Sequence, residues 1–232
     1  MSIRNPAPQP VRLRWQKIYR VVASRHPPIN VFESIVPARQ MDAAWYIEGL
    51  TNDRLRDESG ATPLVAPEDR LHAPGASIVM AAFTHIGRPS RFSDGSYGVY
   101  YAARTLETAV RETAHHRANF LAATREAPGE IDMRAYVGRP LKPYLDIRGA
   151  KYAPLHDPDD YRASQAFAKP LRDAGEWGLT YRSVRHAGGE CIAAFKPQAV
   201  SIPIAGAALA YVWDGTKIGK VYEKSEVLFV LG

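Results

Sequence analysis

The chain has 232 residues, 46% hydrophobic and 23% charged, the balance of an ordinary soluble globular protein with enough length to bury a full core without metals or disulfides. Its single cysteine, Cys191, excludes an intrachain disulfide and fits a reducing cytoplasm, while the apolar run at 202–213, broken by Pro203 and Gly206, falls short of the roughly 20 residues of a membrane span. A formal charge of +6 and a pI of about 9.4 suit an acidic partner, a nucleic acid or an anionic ligand, although the arginines are scattered rather than clustered.

Residues 1–16 read as a proline-containing tail with no apolar signal region, and 17–232 as one domain. A strand is predicted over 17–23, where Ile18, Val21 and Val22 are β-formers, and Pro27 and Pro28 end it. A helix is predicted over 41–56, with Met41, Ala44 and Trp45 on one side. Gly60, Pro63, Pro67 and Pro74 mark 57–76 as a linker or lid, so that about 35–85 forms a helical and loop insert. The apolar run 78–83 reads as a buried strand. A Gly-, Pro- and Ser-rich stretch at 87–98 leads into a short strand at 99–102. Thr105 can cap a helix to about Phe120, with Leu106, Ala109, Val110 and Ala114 as its apolar stripe. Further strands are expected at 131–137, 178–182, 191–195, 209–213 and 227–231. A helix over 160–174, stopped by Gly175, interrupts them. The fold class is α+β, a mixed sheet core with flanking helices.

The segment from Arg91 to Ala103 followed by Glu112 carries the chemistry: an arginine, a turn, a strand ending in tyrosine, then a carboxylate inside a helix. Glu112 lies beside the apolar stripe, which would let it face a cleft between helix and sheet. His116, one turn on, is placed to hydrogen-bond to it. The plainer alternative is a solvated Glu112 paired with its neighbours. His115 and His116 point apart on a helix, Asp157, Asp159 and Asp160 lack the glycine and terminal glutamate of a calcium loop, and no metal site is expected. No Gly-rich dinucleotide or P-loop motif is present.

Taken in order, Arg20, the 91–101 segment, Glu112 and Tyr181-Arg182-Ser183-Val184-Arg185 resemble the RES domain, a family named for its arginine, glutamate and serine. Arg91-Phe92-Ser93 stands where the family commonly has Gly-Gly-Arg-Trp-Asn. Tyr101-Ala102-Ala103 stands for its Tyr-Leu-Ala strand, and Ala109 and Glu112 for its helix residues. Gly178-Leu179 precedes the serine motif, and Phe195-Lys196-Pro197 resembles the closing Asn-Pro. Pro89-Ser90, Phe92 and Arg182 depart from the pattern, and the insert is longer than usual. The resemblance covers about 17–200.

What the resemblance implies is an ADP-ribosyltransferase-like fold and NAD as substrate. Glu112 would stabilise the oxocarbenium ion formed as nicotinamide leaves. Arg20 and Arg91 would grip the pyrophosphate. Tyr101 would stack on nicotinamide, and Ser183 would orient Glu112 or bind the ribose or amide. The family further implies a cytoplasmic toxin of a type II toxin–antitoxin pair. Its partner would be an antitoxin with an Xre-like DNA-binding portion that covers the active site. The ADP-ribose acceptor stays open between a host protein, favoured weakly by the insert, and phosphate or water, which would deplete NAD. A nucleic-acid-binding protein is the alternative that the pI suggests, but helix-turn-helix, zinc-finger and aromatic-basic strand patterns are lacking, and direct nucleic-acid binding is not expected.

Overall fold

The computed structural model describes residues 7–24 and 62–224. The helix expected at 41–56 and the strand at 227–231 lie outside them. The strands are β1 (Pro10–Val11), β2 (Ile18–Ala23), β3 (Tyr100–Ala103), β4 (Gly129–Gly138), β5 (Tyr144–Asp146), β6 (Gly178–Arg182), β7 (Glu190–Ala194), β8 (Ile204–Trp213) and β9 (Ile218–Glu223), the central ones buried on both faces. They form one mixed sheet in the order β1-β5-β6-β7-β3-β2-β4-β8-β9. The β5–β6 pair is parallel and the other pairs are antiparallel. Helices α1 (Ala76–Thr84), α2 (Leu106–Thr124) and α3 (Arg162–Asp173) flank it, with a 3-10 helix at Ala150–His156. The architecture is α+β.

Two cores lie on the two faces. Val21, Ala103, Ala109, Leu179, Cys191, Ala193 and Tyr211 belong to the larger one, beneath α2 and α3. Ile18, Tyr100, Ala102, Ile192 and Ala194 face the other way, toward Val79 and Phe83 of α1. Residues 7–16, read as tail, carry β1, whose Pro10 and Val11 pair with Leu145 and Tyr144, and Leu13 and Trp15 pack on the smaller core.

Helix α2 begins where the sequence places it: Thr105 Oγ1 accepts from Thr108 N–H, a side-chain N-cap. The run 78–83, however, is the body of helix α1 and not a strand. Its buried residues, Ala76, Val79 and Phe83, recur at helical spacing, and Gly75, with φ of 82°, turns the chain into it. A short apolar run shows no alternation, so periodicity alone does not separate a strand from a helix buried on one side.

Strand β2 pairs with β4 along 18–23 but meets β3 at Tyr19↔Ala103 alone, so β2 and β3 part beyond that point. The guanidinium of Arg20 fills the gap, donating from Nη1 to Tyr101 O at 3.1 Å and lying 4.7 Å from the Tyr100 ring centre.

Helix α1 rests directly on the turn before β3. A Cβ at Gly98 would stand 2.2 Å from Ala82 O and 2.4 Å from Phe83 Cα, both backbone atoms. Gly98→Ala is therefore expected to lower unfolding stability in urea by about 2–3 kcal/mol. Gly149→Ala, with φ of −66° and open space around it, should change stability by less than about 0.5 kcal/mol. Equal stabilities of the two variants would contradict the packing described.

Candidate active site

The loop after β6 closes on itself and on helix α2. Ser183 N–H donates to Gly189 O at 2.8 Å, and Ser183 Oγ accepts from Arg185 N (3.2 Å) and His186 N (3.0 Å). His186 Nδ1 sits 2.8 Å from Thr108 Oγ1, while a Cβ at Gly189 would meet the Thr108 side chain at 2.8 Å. The loop is thus docked on the first turn of α2. With two N–H groups on its oxygen, Ser183 turns its own hydroxyl proton to Glu112 Oε1 at 2.5 Å. Glu112 is half-buried, and its second oxygen, Oε2, takes no hydrogen bond among the described residues. The carboxylate is held by one oxygen and offers the other.

Arg91 is buried at 7% exposure. Its Nη1 donates to Asp157 O (2.7 Å) and Leu155 O (3.4 Å) at the end of the 3-10 helix, and its guanidinium lies 4.6 Å from the Tyr161 ring centre. Its backbone is bolted to α3: Ser164 Oγ donates to Arg91 O, and Gln165 Nε2 to Ser90 O and Ser93 O. The charges of Arg91 and Glu112 both act on His115, His116, Tyr181 and Cys191, which places the two groups around one region.

Tyr101 closes the neighbouring turn. Its hydroxyl accepts from Phe92 N at 3.0 Å and lies 2.8 Å from Ser90 Oγ, and its ring stacks on Phe92 at 6.5 Å with 22° between planes. Burial pushes this hydroxyl well above the usual tyrosine range. Arg20 joins this group through the Tyr101 carbonyl. Its Nε is buried without a hydrogen-bond partner among the described residues, and burial pushes the guanidinium below its ordinary value. Glu112 with Ser183 and Arg20 with the Tyr101 carbonyl thus form two separate clusters. No direct contact joins Arg20 to Glu112, Ser183 or Arg91 among the described residues.

His116 makes no hydrogen bond to Glu112, although it lies in the field of that carboxylate; burial lowers its pKa first and Glu112 raises it second. The acidic run is spent locally: Asp157 Oδ1 accepts from Asp159 N and Asp160 N, and Asp160 chelates Arg162. Among the described residues no group of three or more His, Cys, Asp and Glu gathers that could hold a metal, and no helix is long and apolar enough to cross a membrane.

Sequence reasoning passed over two residues. Arg185 follows the serine by two residues and bonds to it through its backbone N–H. His156 accepts from Arg182 N at its Nε2 (3.2 Å), so the ring proton sits on Nδ1 and donates to Tyr152 O at 2.9 Å. This neutral tautomer pins the 3-10 helix to the residue before Ser183. The two positions are 26 residues apart and no spacing signal joins them.

A mixed-sheet α+β protein that presents a serine-held glutamate beside a buried arginine is the class that fold and site define. The family model of the RES domain matches residues 67–214, more than half of the sequence, and the chain belongs to that family. The matched region holds Arg91, Tyr101, Glu112 and Ser183 and begins after Arg20. A relative, the uncharacterized protein y4oC of Sinorhizobium fredii (strain NBRC 101917 / NGR234), is 29% identical over 208 residues, covering 89% of this chain and 86% of its own. Among solved structures, a chain of the M. tuberculosis MbcT–MbcA toxin–antitoxin complex aligns over 94% of this chain and 86% of its own, with 10% identity and a TM-score of 0.41.

Burial pushes His156 below the ordinary histidine value of 6.5. The unfolded chain therefore takes up this proton first. The folded state keeps its full stability above about pH 6.5 and loses it as pH falls through the lowered value. Urea unfolding at about pH 7.5 and 5.5 should show a stability loss that shrinks in His156→Gln, which has no ring to protonate. An unchanged pH difference in that variant would contradict the neutral-histidine pin.

Proposed function

We propose that this chain is an NAD-consuming toxin of a toxin–antitoxin pair, which breaks the nicotinamide–ribose bond and transfers ADP-ribose to a protein acceptor. The observation that carries the reading is the Ser183–Glu112 hydrogen bond, which leaves one carboxylate oxygen unused. Membership of the RES family supports it.

As the C–N bond to nicotinamide breaks, its electron pair leaves with the ring nitrogen, and positive charge grows on the ribose carbon and ring oxygen. A fixed carboxylate stabilises that charge most at the transition state. Ser183 holds Oε1, so Glu112 meets the developing charge without reorganising. Arg91, buried and held by two loop carbonyls, supplies fixed positive charge toward the pyrophosphate. Arg20 does so from the gap between β2 and β3, and Tyr101 takes the role of stacking on nicotinamide. The acceptor's lone pair then bonds to the ribose carbon and the acceptor gives up its proton. A side chain gives an ADP-ribosylated protein; phosphate or water gives ADP-ribose-1″-phosphate or ADP-ribose and depletes NAD. The partner in this reading is an antitoxin with an Xre-like DNA-binding portion seated over the site.

Glu112→Gln keeps the shape and removes the charge. Nicotinamide release should fall at least about a hundredfold, while NAD affinity measured by calorimetry moves by less than about fivefold. A variant that matches the wild-type rate would sink the catalytic role. Labelled NAD in buffer, phosphate and bacterial lysate identifies the acceptor. One labelled protein band is the expected result; labelled ADP-ribose alone would replace transfer by hydrolysis. Expressed alone, the wild type should arrest bacterial growth, and the gene encoded beside it should relieve the arrest. Normal growth with folded protein would remove the toxin role.

A further inference from the structure

Arg20 lies against β3 and Arg91 is held by loop carbonyls, so each already has a structural task. A third arginine adjoins the Glu112–Ser183 pair through its backbone. Arg185 donates its backbone N–H to Ser183 Oγ, the same oxygen that fixes Glu112. Its side chain is 17% exposed, and its Nε is buried with no hydrogen-bond partner among the described residues. The remaining contacts come from one loop: Nη2 donates to Pro158 O and lies 3.4 Å from Asp159 Oδ1. The Asp159 carboxylate is 85% exposed.

These contacts do not balance the burial. A largely buried guanidinium normally has its donors filled, because an unfilled charged donor is costly. A long ion pair to a solvent-exposed carboxylate returns little. What Arg185 lacks is an anion that can take Nε and an Nη together, which is the geometry of a phosphate or carboxylate held by an arginine fork. The Ser183 oxygen that takes the Arg185 backbone N–H also donates to Glu112, so the half-filled fork belongs to the same loop that holds the carboxylate.

We propose that Arg185 is a phosphate-binding residue of this site and that Asp159 is its resting counter-ion, displaced when a dinucleotide pyrophosphate enters. The inference rests on the NAD reading for the identity of the ligand. It adds a residue to that reading and a competition: the acidic loop at 157–160 weakens substrate binding until it yields Arg185.

Calorimetry on the full chain carrying Glu112→Gln tests this with three probes: NAD, nicotinamide riboside, which has no phosphate, and inorganic pyrophosphate. Adding Arg185→Gln should weaken NAD and pyrophosphate at least about tenfold, the scale of a lost hydrogen bond to a charged group, and leave the riboside unchanged. Arg185→Lys should recover part of the loss. Asp159→Asn, on the exposed loop, should tighten NAD severalfold. Unchanged NAD affinity in Arg185→Gln, or an equal loss for riboside and NAD, would overturn the proposal, the second because it marks a purely structural role. If Arg185→Gln fails to fold, Asp159→Asn decides: NAD affinity that stays level or falls overturns it. Pyrophosphate binding that depends on Arg185 without any binding of NAD would uphold the anion site and reject NAD as its ligand. Absence of binding by both NAD and pyrophosphate would reject the two together.

Discussion

The hydrogen bond from Ser183 Oγ to Glu112 Oε1 at 2.5 Å ties the carboxylate of helix α2 to the loop leaving β6, and the proposed chemistry depends on it. Glutamate on a half-buried helix face is free to rotate toward solvent. The serine removes that freedom, since its oxygen is fixed by two backbone N–H groups of its own loop and its proton has one direction left. Hydrogen bonds to a charged acceptor are about twice as strong as neutral ones. The loop is in turn seated by His186 on Thr108, one turn before Glu112 on α2, so donor and acceptor are set by the same packing.

The sheet supplies the second constraint. At its β2–β3 junction the strands part, and an arginine side chain takes the place of ladder hydrogen bonds. At the end of β5, β7 and β3, Arg148 chelates Asp146 and also bonds to Glu190, whose other oxygen receives Arg104. That network ties three strand ends together close to where the Ser183 loop returns into β7. The sheet is therefore tied at the strand ends beside the Ser183 loop and split between β2 and β3, where Arg20 fills the gap. The 155–161 segment holds Arg91 by its carbonyls, Arg185 by Pro158 and Asp159, and the Arg182 backbone through His156.

Much of this was legible in the sequence, and the failures have physical reasons. The cap at Thr105, the stripe on α2 and the β-formers of β2 are local patterns, and the elements stand where those patterns place them. The 78–83 run gave strand because its apolar residues are continuous; which side is buried depends on the turn at Gly98, which no local pattern contains. The pairing of Ser183 with Glu112 spans 71 residues, and in the sequence it is offered by the family resemblance alone, as one of the roles open to the serine. The fates of Arg20 and Arg91 were less visible. Each bonds to backbone carbonyls, an interaction with acceptors that every residue has and no sequence marks. The unfilled donor of Arg185 is a property of burial, which its motif does not show.

The measurement that bears most directly on the central claim is a double-mutant cycle between Ser183→Ala and Glu112→Gln, read as the rate of nicotinamide release from NAD. If Ser183 acts by holding Glu112, the serine change costs rate in the wild type and almost nothing once the carboxylate is gone. The double variant then matches Glu112→Gln to within about twofold. Losses that multiply, with Ser183→Ala lowering the rate as much in the glutamine background as in the wild type, would contradict the coupling and separate the two residues into independent roles.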